Sequence, residues 1–431
     1  MLHDPSSYTP PLELTELKLT EEEKDILKKL GENIADIAAL PFHKEKARLW
    51  TKMNDLDSER PMIWINEIPW HEMNVNDELT LQCSNPWARE LEDRLRKEIY
   101  QWNHMPGDMV INNYIECPLA IHSTDFGIIE DVDIIKTDET SDIVSRHFNI
   151  QIKEPEDLKK IQMPTVTHNE FVTDLTFKIM EEIFRDIIEV KKVAQTHIWF
   201  TPWDYLVRWW GIQEAMIDLV MRPQMVHDGV ERLVQAWMTE LDQFEEQNLL
   251  SLDNRNIRVG SGGYGYISSL PGEDYDPEYV KPYNMWGCSN AQIFSEVSPE
   301  MHWEFAIEHD LKWLERWGVT YYGCCEPLDK KAHLLRRIPN LRKISISPWA
   351  DLQRSVEEFG TDYVLSIKPS PAIFTGGDWK QDEGIKALQR IMNIAGKKCH
   401  IEIIMKDIST VSYKPQNLWA WEKAAMEIVQ S

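Results

Sequence analysis

The sequence predicts an α/β fold, a (β/α)8 TIM barrel with an N-terminal helical extension, and three observations carry the prediction. From about residue 106 onward, short β-branched or apolar runs alternate with helical patterns, the mark of parallel strands joined by helical crossovers. Four such runs in each half make eight, and eight parallel strands with intervening helices close most economically as a barrel. The 431 residues leave room for both a barrel of roughly 250 residues or more and an extension.

The extension is assigned to residues 1–105 and the barrel to 106–431. Thr20-Glu21-Glu22-Glu23 opens an amphipathic helix that runs to about Leu40, and Pro86 starts a second helix reaching about Gln101. In the first half of the barrel, strands are expected near 108–117, 193–200, 249–253 and 291–297, with helices over 174–188 and 213–247. The second half is written more clearly. Ser298-Pro299-Glu300 combines a capping serine with proline at the first helical position, and the helix it opens stops at Gly318. Strand 319–324, helix 330–338, strand 342–347, helix 351–359, strand 362–368, helix 382–395, strand 399–405 and helix 417–429 follow in order.

Composition excludes several classes of function. The 72 acidic and 46 basic side chains give a formal charge of −26, with no basic block of the kind that grips a phosphate backbone, so nucleic acid is not an expected partner. The longest apolar stretches, such as 34–42, fall far short of the roughly 20 residues that span a bilayer, and the acidic N-terminus lacks a signal-peptide pattern. The expectation is a soluble, cytoplasmic protein without membrane contact. Its six cysteines, Cys324 and Cys325 adjacent among them, read as free thiols and not as a disulfide framework. A homodimer is compatible with the sequence and is not read from it.

Barrel enzymes hold their chemistry on the loops that follow strand C-terminal ends. Those ends carry Glu296, Cys324-Cys325-Glu326, Ser347, Lys368, Lys406 and Asp407 in the second half, and Asn113, Tyr114, His122, Asp125, His197, Asp204 and Asn254 in the first. Two thiols and a carboxylate at one strand end suit a borderline-soft cation such as zinc, or are simply two small buried apolar side chains, since free Cys packs well. No HExxH, CxxC or His-x-Cys accompanies them. Gly260-Ser261-Gly262-Gly263-Tyr264-Gly265 matches the spacing of a dinucleotide-binding turn but continues into Ser268-Ser269-Leu270-Pro271-Gly272 instead of a helix. It is therefore expected to be a loop over the barrel mouth, with Tyr264 or Tyr266 as a lid contact. Trp199, Trp203, Tyr205, Trp209 and Trp210 cluster after the second strand, either as core packing or as a wall for a flat ligand, and His197 shares the face of Trp199. Asp204 and Arg208 stand one helical turn apart, and His122 lies three residues before Asp125.

The phrase Ile143 to Pro164 (IVSRHFNIQIKEPEDLKKIQMP), the segment Trp209-Trp210-Gly211 through Leu219-Val220-Met221-Arg222-Pro223-Gln224-Met225-Val226-His227, and the strand ending before Cys324 resemble the uroporphyrinogen decarboxylase-like superfamily. The resemblance covers roughly residues 100 to 430. It implies a (β/α)8 barrel and, because the N-terminal region is acidic where the decarboxylases are Arg-rich, the corrinoid-dependent methyltransferase branch. Its aryl O-demethylase components take a methyl group from a methoxylated aromatic and pass it to a cobalt corrinoid carried by a partner corrinoid protein. Thiol-methylating members hold zinc through His-x-Cys and a later Cys. Here neither Tyr322-Gly323-Cys324 nor Gly323-Cys324-Cys325 supplies the His, and 370–375 supplies no Cys.

Cobalt(I) is already a strong nucleophile, so the protein's task is to protonate a poor phenolate leaving group or to bring a Lewis acid to it. Glu326, Glu296, His122 and His197 are the candidate catalytic acids. Asn113, Trp199, Trp203, Asp204, Tyr264 and Lys368 are the candidate substrate contacts, and Cys324 and Cys325 the candidate metal ligands. Decarboxylation of a small acid, methyl transfer from a methylamine-type donor, and a non-catalytic scaffold for the corrinoid protein are the competing readings.

Overall fold

The computed structural model describes residues 17–135 and 145–431. Residues 1–16 of the expected extension, and Ile143 and Val144 at the head of the superfamily phrase, lie outside the described residues. Strands in chain order are β1 Met62–Ile65, β2 Tyr114–Pro118, β3 Ile121–Ser123, β4 Val132–Ile135, β5 Ser145–Phe148, β6 Val166–His168, β7 Glu189–Val193, β8 Trp286–Ser289, β9 Val319–Tyr322, β10 Leu341–Ile346, β11 Val364–Ile367 and β12 His400–Met405. A six-stranded sheet runs in the order β1-β12-β11-β10-β9-β8, parallel throughout. β2 and β7 form a separate parallel pair, and β3–β6 and β4–β5 are small antiparallel ribbons.

The fold is thus α/β with a parallel sheet, while a closed eight-stranded ladder is not formed among the described residues. Past β7 the pairing thins to one parallel bridge between Gln195 and Leu250, and the next link toward β8 is a side chain: Asp253 accepts from the Trp286 backbone N–H at 3.0 Å. The two expected strands at 193–200 and 249–253 therefore shrink to this bridge. The expected strand at 291–297 is instead a 3-10 helix, Gln292–Glu296, and the real strand β8 precedes it. Gly287, Cys288 and Ser289 have little intrinsic β preference, so only the surrounding sheet makes that segment extended. β1 falls inside the segment expected to be a helical extension and pairs with β12, so the N-terminal region contributes a strand to the main sheet.

The helices follow their caps. Helix Glu21–Ala38 begins at a reciprocal capping box between Thr20 and Glu23, whose other carboxylate oxygen receives the Ser84 and Asn85 amides at the start of helix Pro86–His104. One carboxylate thereby fixes two helix starts. The long helix expected over 213–247 is two, Ile212–Met221 and Pro223–Glu246, and a separate helix, Pro202–Trp210, precedes them. Gly211, at φ +87°, and Pro223 mark the breaks. Helices Leu352–Phe359, Gln381–Ile394 and Gln416–Gln430 fall within a residue or two of expectation.

Alternation along the strands separates two faces. Ile344, Ile346, Leu365, Ile367, Ile401 and Ile403 join the main apolar core beneath the helices. The opposite face is polar: Ser345 pairs with Ser366 and Ser366 with Glu402, while Lys343 pairs with Tyr321. On that face Lys343 Nζ lies 2.9 Å from Glu402 Oε2, both wholly buried. What covers it is main chain. The glycine-rich segment folds back on itself through a bridge between Arg258 and Tyr264, and Gly263 N–H donates to Glu402 Oε1 at 3.0 Å. A Cβ on Gly260 would stand 2.3 Å from the Tyr321 ring, and one on Gly265 would stand 2.3 Å from the Asp253 carbonyl oxygen. The glycines are there because the backbone lies flat against side chains and, at Gly265, against main chain.

Candidate active site

The C-terminal ends of β9 to β12 bring thiols and ammonium groups together. Cys324 Sγ is 3.6 Å from Cys325 Sγ, and Lys406 Nζ is 3.9 Å from Cys324 Sγ. Lys406 also meets Asp407 at 2.6 Å and Glu67 at 3.4 Å. Burial opposes its charge, but the thiols, Glu67 and Asp407 hold its pKa above the usual lysine range. The hydrogen bond from Cys324 draws the Cys325 thiol down, while Cys324, bearing the proton, is pushed up. Lys368 Nζ donates to Tyr321 Oη at 2.6 Å and to Ser345 Oγ and Ser366 Oγ at 2.9 Å, and burial pulls its pKa down to about 7.

Glu326 holds this loop in place. Its Oε2 accepts from the Cys324 amide at 2.9 Å and its Oε1 from the Ala291 amide at 3.0 Å. The side chain is wholly buried. With both oxygens committed to backbone, Glu326 positions the thiols and does not reach a leaving group, which corrects its expected role as acid.

Beside this rim, past Ala291 and Gln292, lies a cavity of 760 Å³, within the range of small-molecule sites. Trp199, Tyr205 and Trp237 supply aromatic wall, and Asp204, Glu240 and His197 supply titratable groups. Gln292 Nε2 donates to Asp204 Oδ2 at 2.9 Å, and burial raises the Asp204 pKa. Ser123 Oγ donates to Glu240 Oε1 at 2.5 Å, yet burial and the nearby Asp125 push Glu240 up to about 7. A carboxyl that keeps its proton near neutrality, in a cavity with a stacking wall, can donate that proton to a bound leaving group.

His197 Nε2 accepts from the Gly260 amide at 2.9 Å, and Nδ1 stands 3.6 Å from Asp253. Against burial, the Cys288 sulfur and the Asp253 carboxylate would keep the ring charged up to about pH 10. An imidazolium, however, would turn a second N–H toward the Gly260 amide, so the geometry holds the neutral form with its proton on Nδ1.

Of the other sequence candidates, Trp199 and Asp204 line the cavity with His197, and Lys368 and the two cysteines meet at the rim. Trp203 is core, 1% exposed, its indole N–H donating to the Phe305 carbonyl. His122 and Asn113 are exposed and do not line this cavity, and Glu296 is exposed on its 3-10 helix. Tyr264 is no lid: it is 4% exposed and packs on Trp50 and Trp64. Glu240 was not foreseen, although the sequence carries a signal. Leu233, Trp237 and Phe244 share its helical stripe, so a carboxylate sits where the pattern demands an apolar residue.

The thiol pair does not fit zinc. Among the described residues no three His, Cys, Asp or Glu side chains converge as a metal set, and the Lys406 ammonium already stands against both Cys324 and Asp407, where a cation would have to bind.

The chain is similar in structure to a methyltransferase from Methanosarcina mazei. The superposition covers 89% of this chain and 98% of that one, with a TM-score of 0.51 and 11% sequence identity. At that identity the likeness is one of fold. No family model matches the chain, and no curated protein matches its sequence. Among the described residues no helix is long and apolar enough to cross a membrane.

Proposed function

We propose that the chain is a methyltransferase: an O-demethylase component that removes the methyl group of a methoxylated aromatic and delivers it to the cobalt(I) corrinoid of a partner corrinoid protein. The observation that carries the reading is the 760 Å³ cavity, which sets protonatable Glu240 and Asp204 against an aromatic wall beside the strand ends. The methyltransferase fold of the Methanosarcina mazei neighbour and the superfamily phrases support it.

The ring stacks on Trp199 and Tyr205, which fixes the direction of the methyl–oxygen bond. The bond between methyl carbon and oxygen breaks, cobalt(I) supplies the electron pair of the new bond to carbon, and Glu240 gives its proton to the departing phenolate. The Ser123 hydroxyl then bonds the Glu240 carboxylate.

Mixing the protein with a reduced corrinoid protein and a panel of methoxybenzenes tests this. The expected result is the absorbance change of methylcobalt formation with release of one phenol per methyl group. Silence across methoxyaromatic and methylamine donors overturns it, and carbon dioxide release from a small acid without any corrinoid selects decarboxylation instead.

A further inference from the structure

A second cavity, of 220 Å³, lies between β1, β2 and helix Pro86–His104, separated from the first by Glu116, which lines both. Its polar groups divide into those already engaged and those left over. Arg255 is paired with Glu116, Arg258 with Glu67 at 2.7 Å, and Lys97 with Asp93 at 2.6 Å, while Arg94 donates to the Glu116 carbonyl. The groups left over are different in kind. Asn66, 6% exposed and first after β1, has no partner for either its amide oxygen or its amide nitrogen. Asn256 donates to the Val110 carbonyl at 2.9 Å, which turns its oxygen, unpartnered, the other way. Glu98 lines the cavity with no hydrogen bond or ion pair among the described residues.

We propose that this cavity is a binding site for a small organic ammonium ion, a primary or methylated amine with a short apolar body. Two amide oxygens and a carboxylate are an acceptor set for N–H donors, and Trp64 adds aromatic wall, while Trp70 already carries Lys97 over its ring and Tyr114 carries Lys191 and Arg255. Asn66 Nδ2 and the Trp64 indole N–H give donors, for a hydroxyl or carbonyl on the ligand. A carboxylate ligand suits the site less, because the guanidinium groups around it are already committed. The site is independent of the methyl-transfer reading.

Burial and the neighbouring Glu116 raise Glu98 to about 7, against the pull of Arg94. The titratable and charged groups facing it are Arg94 and Lys97 on its own helix, Glu67 after β1, Tyr114 and Glu116 on β2, and Arg255, Arg258 and Tyr264 on the glycine-rich segment. A cation binds its ionised form, so affinity rises as Glu98 loses its proton.

Calorimetric titration of the full chain with methylammonium, dimethylammonium and ethanolammonium, against acetate and acetamide as controls, tests the proposal. The ammonium probes should bind about tenfold more tightly at pH 8 than at pH 6, as expected for one site ionising near 7. Proton release below pH 7 should accompany binding, and Glu98→Gln should abolish the pH dependence. Asn66→Ala, checked for an unchanged melting transition, should weaken binding at every pH. Binding of acetate or acetamide in preference to the amines, a flat pH profile in the unmodified protein, or no ammonium binding at millimolar concentration overturns it, the last meaning that the cavity holds water alone.

Discussion

Replacing Glu402 by Gln leaves the Lys343 ammonium buried beneath the glycine-rich segment without its counter-charge. Both side chains are fully buried at 2.9 Å, so the loss should be about 3–5 kcal/mol, far more than a surface pair gives. Urea unfolding of Glu402→Gln should show a lowered midpoint at unchanged slope, and Glu402→Gln combined with Lys343→Met should recover much of the loss. Glu240 carries the second prediction at this scale. With Glu240 as the proposed proton donor, Glu240→Gln should lower kcat about 100-fold or more in the demethylation assay, with melting temperature held or raised. The sign of its pH dependence follows from the raised pKa: the protonated form acts, so the rate falls as pH climbs through about 7. Stability runs the same way. A carboxyl raised on folding favours the native state fully below the unfolded value near 4.5, and that contribution is lost as pH rises to about 7. Thermal melts from pH 4.5 to 8 should therefore slope less in Glu240→Gln than in the unmodified chain. Which residues were legible in the sequence follows from the same contrast. Asp204 and Trp199 announce themselves because they follow a strand-like run, whereas Glu240 is a charge inside a helix, visible only when its neighbours are placed on a wheel. Glu326 was misread because a carboxylate after two thiols looks reactive, and nothing in the string shows two backbone amides claiming its oxygens.

At the scale of elements, strands β9 to β12 were readable because hydrophobic runs there are bounded by Gly318, Pro339 and Gly360. The first half was not, because β2 and β7 pair only with each other and the chain beyond them is held by His197 and Asp253 instead of a ladder. Polar side chains acting in place of strand pairing leave no periodic trace. The glycine-rich segment was recognised as important and assigned the wrong place, since a loop and a backbone insert share the same composition. That segment yields a direct test. Gly265→Ala puts a methyl group 2.3 Å from the Asp253 carbonyl oxygen, a main-chain atom that cannot swing aside, and should cost about 1–3 kcal/mol by thermal melting. Gly272→Ala, with nothing within 4 Å of its Cβ position, carries only the strain of its φ of +91° and should cost less.

Across the whole molecule, a formal charge of −26 sets the conditions under which it is stable and meets partners. Self-repulsion among exposed carboxylates is screened once the Debye length falls to roughly 8 Å near physiological ionic strength. Raising sodium chloride from 10 to about 200 mM, a shift across that screening range, should raise the melting temperature, and a fall over that interval would mean that ion pairs dominate instead. The parallel sheet collects Lys368, Lys406 and the thiols from strands distant in sequence. The two cavities flank Glu116, so one carboxylate on β2 stands between the proposed aromatic and ammonium ligands.

The main-chain insert lying on the polar face of the sheet has one more implication. Its middle is furnished by peptide groups and not by interchangeable side chains, so laboratory evolution has few positions there to vary. Variants with altered substrate range should accumulate in the helices around Glu240 and Asp204, leaving Gly260, Gly262, Gly263 and Gly265 invariant in every survivor.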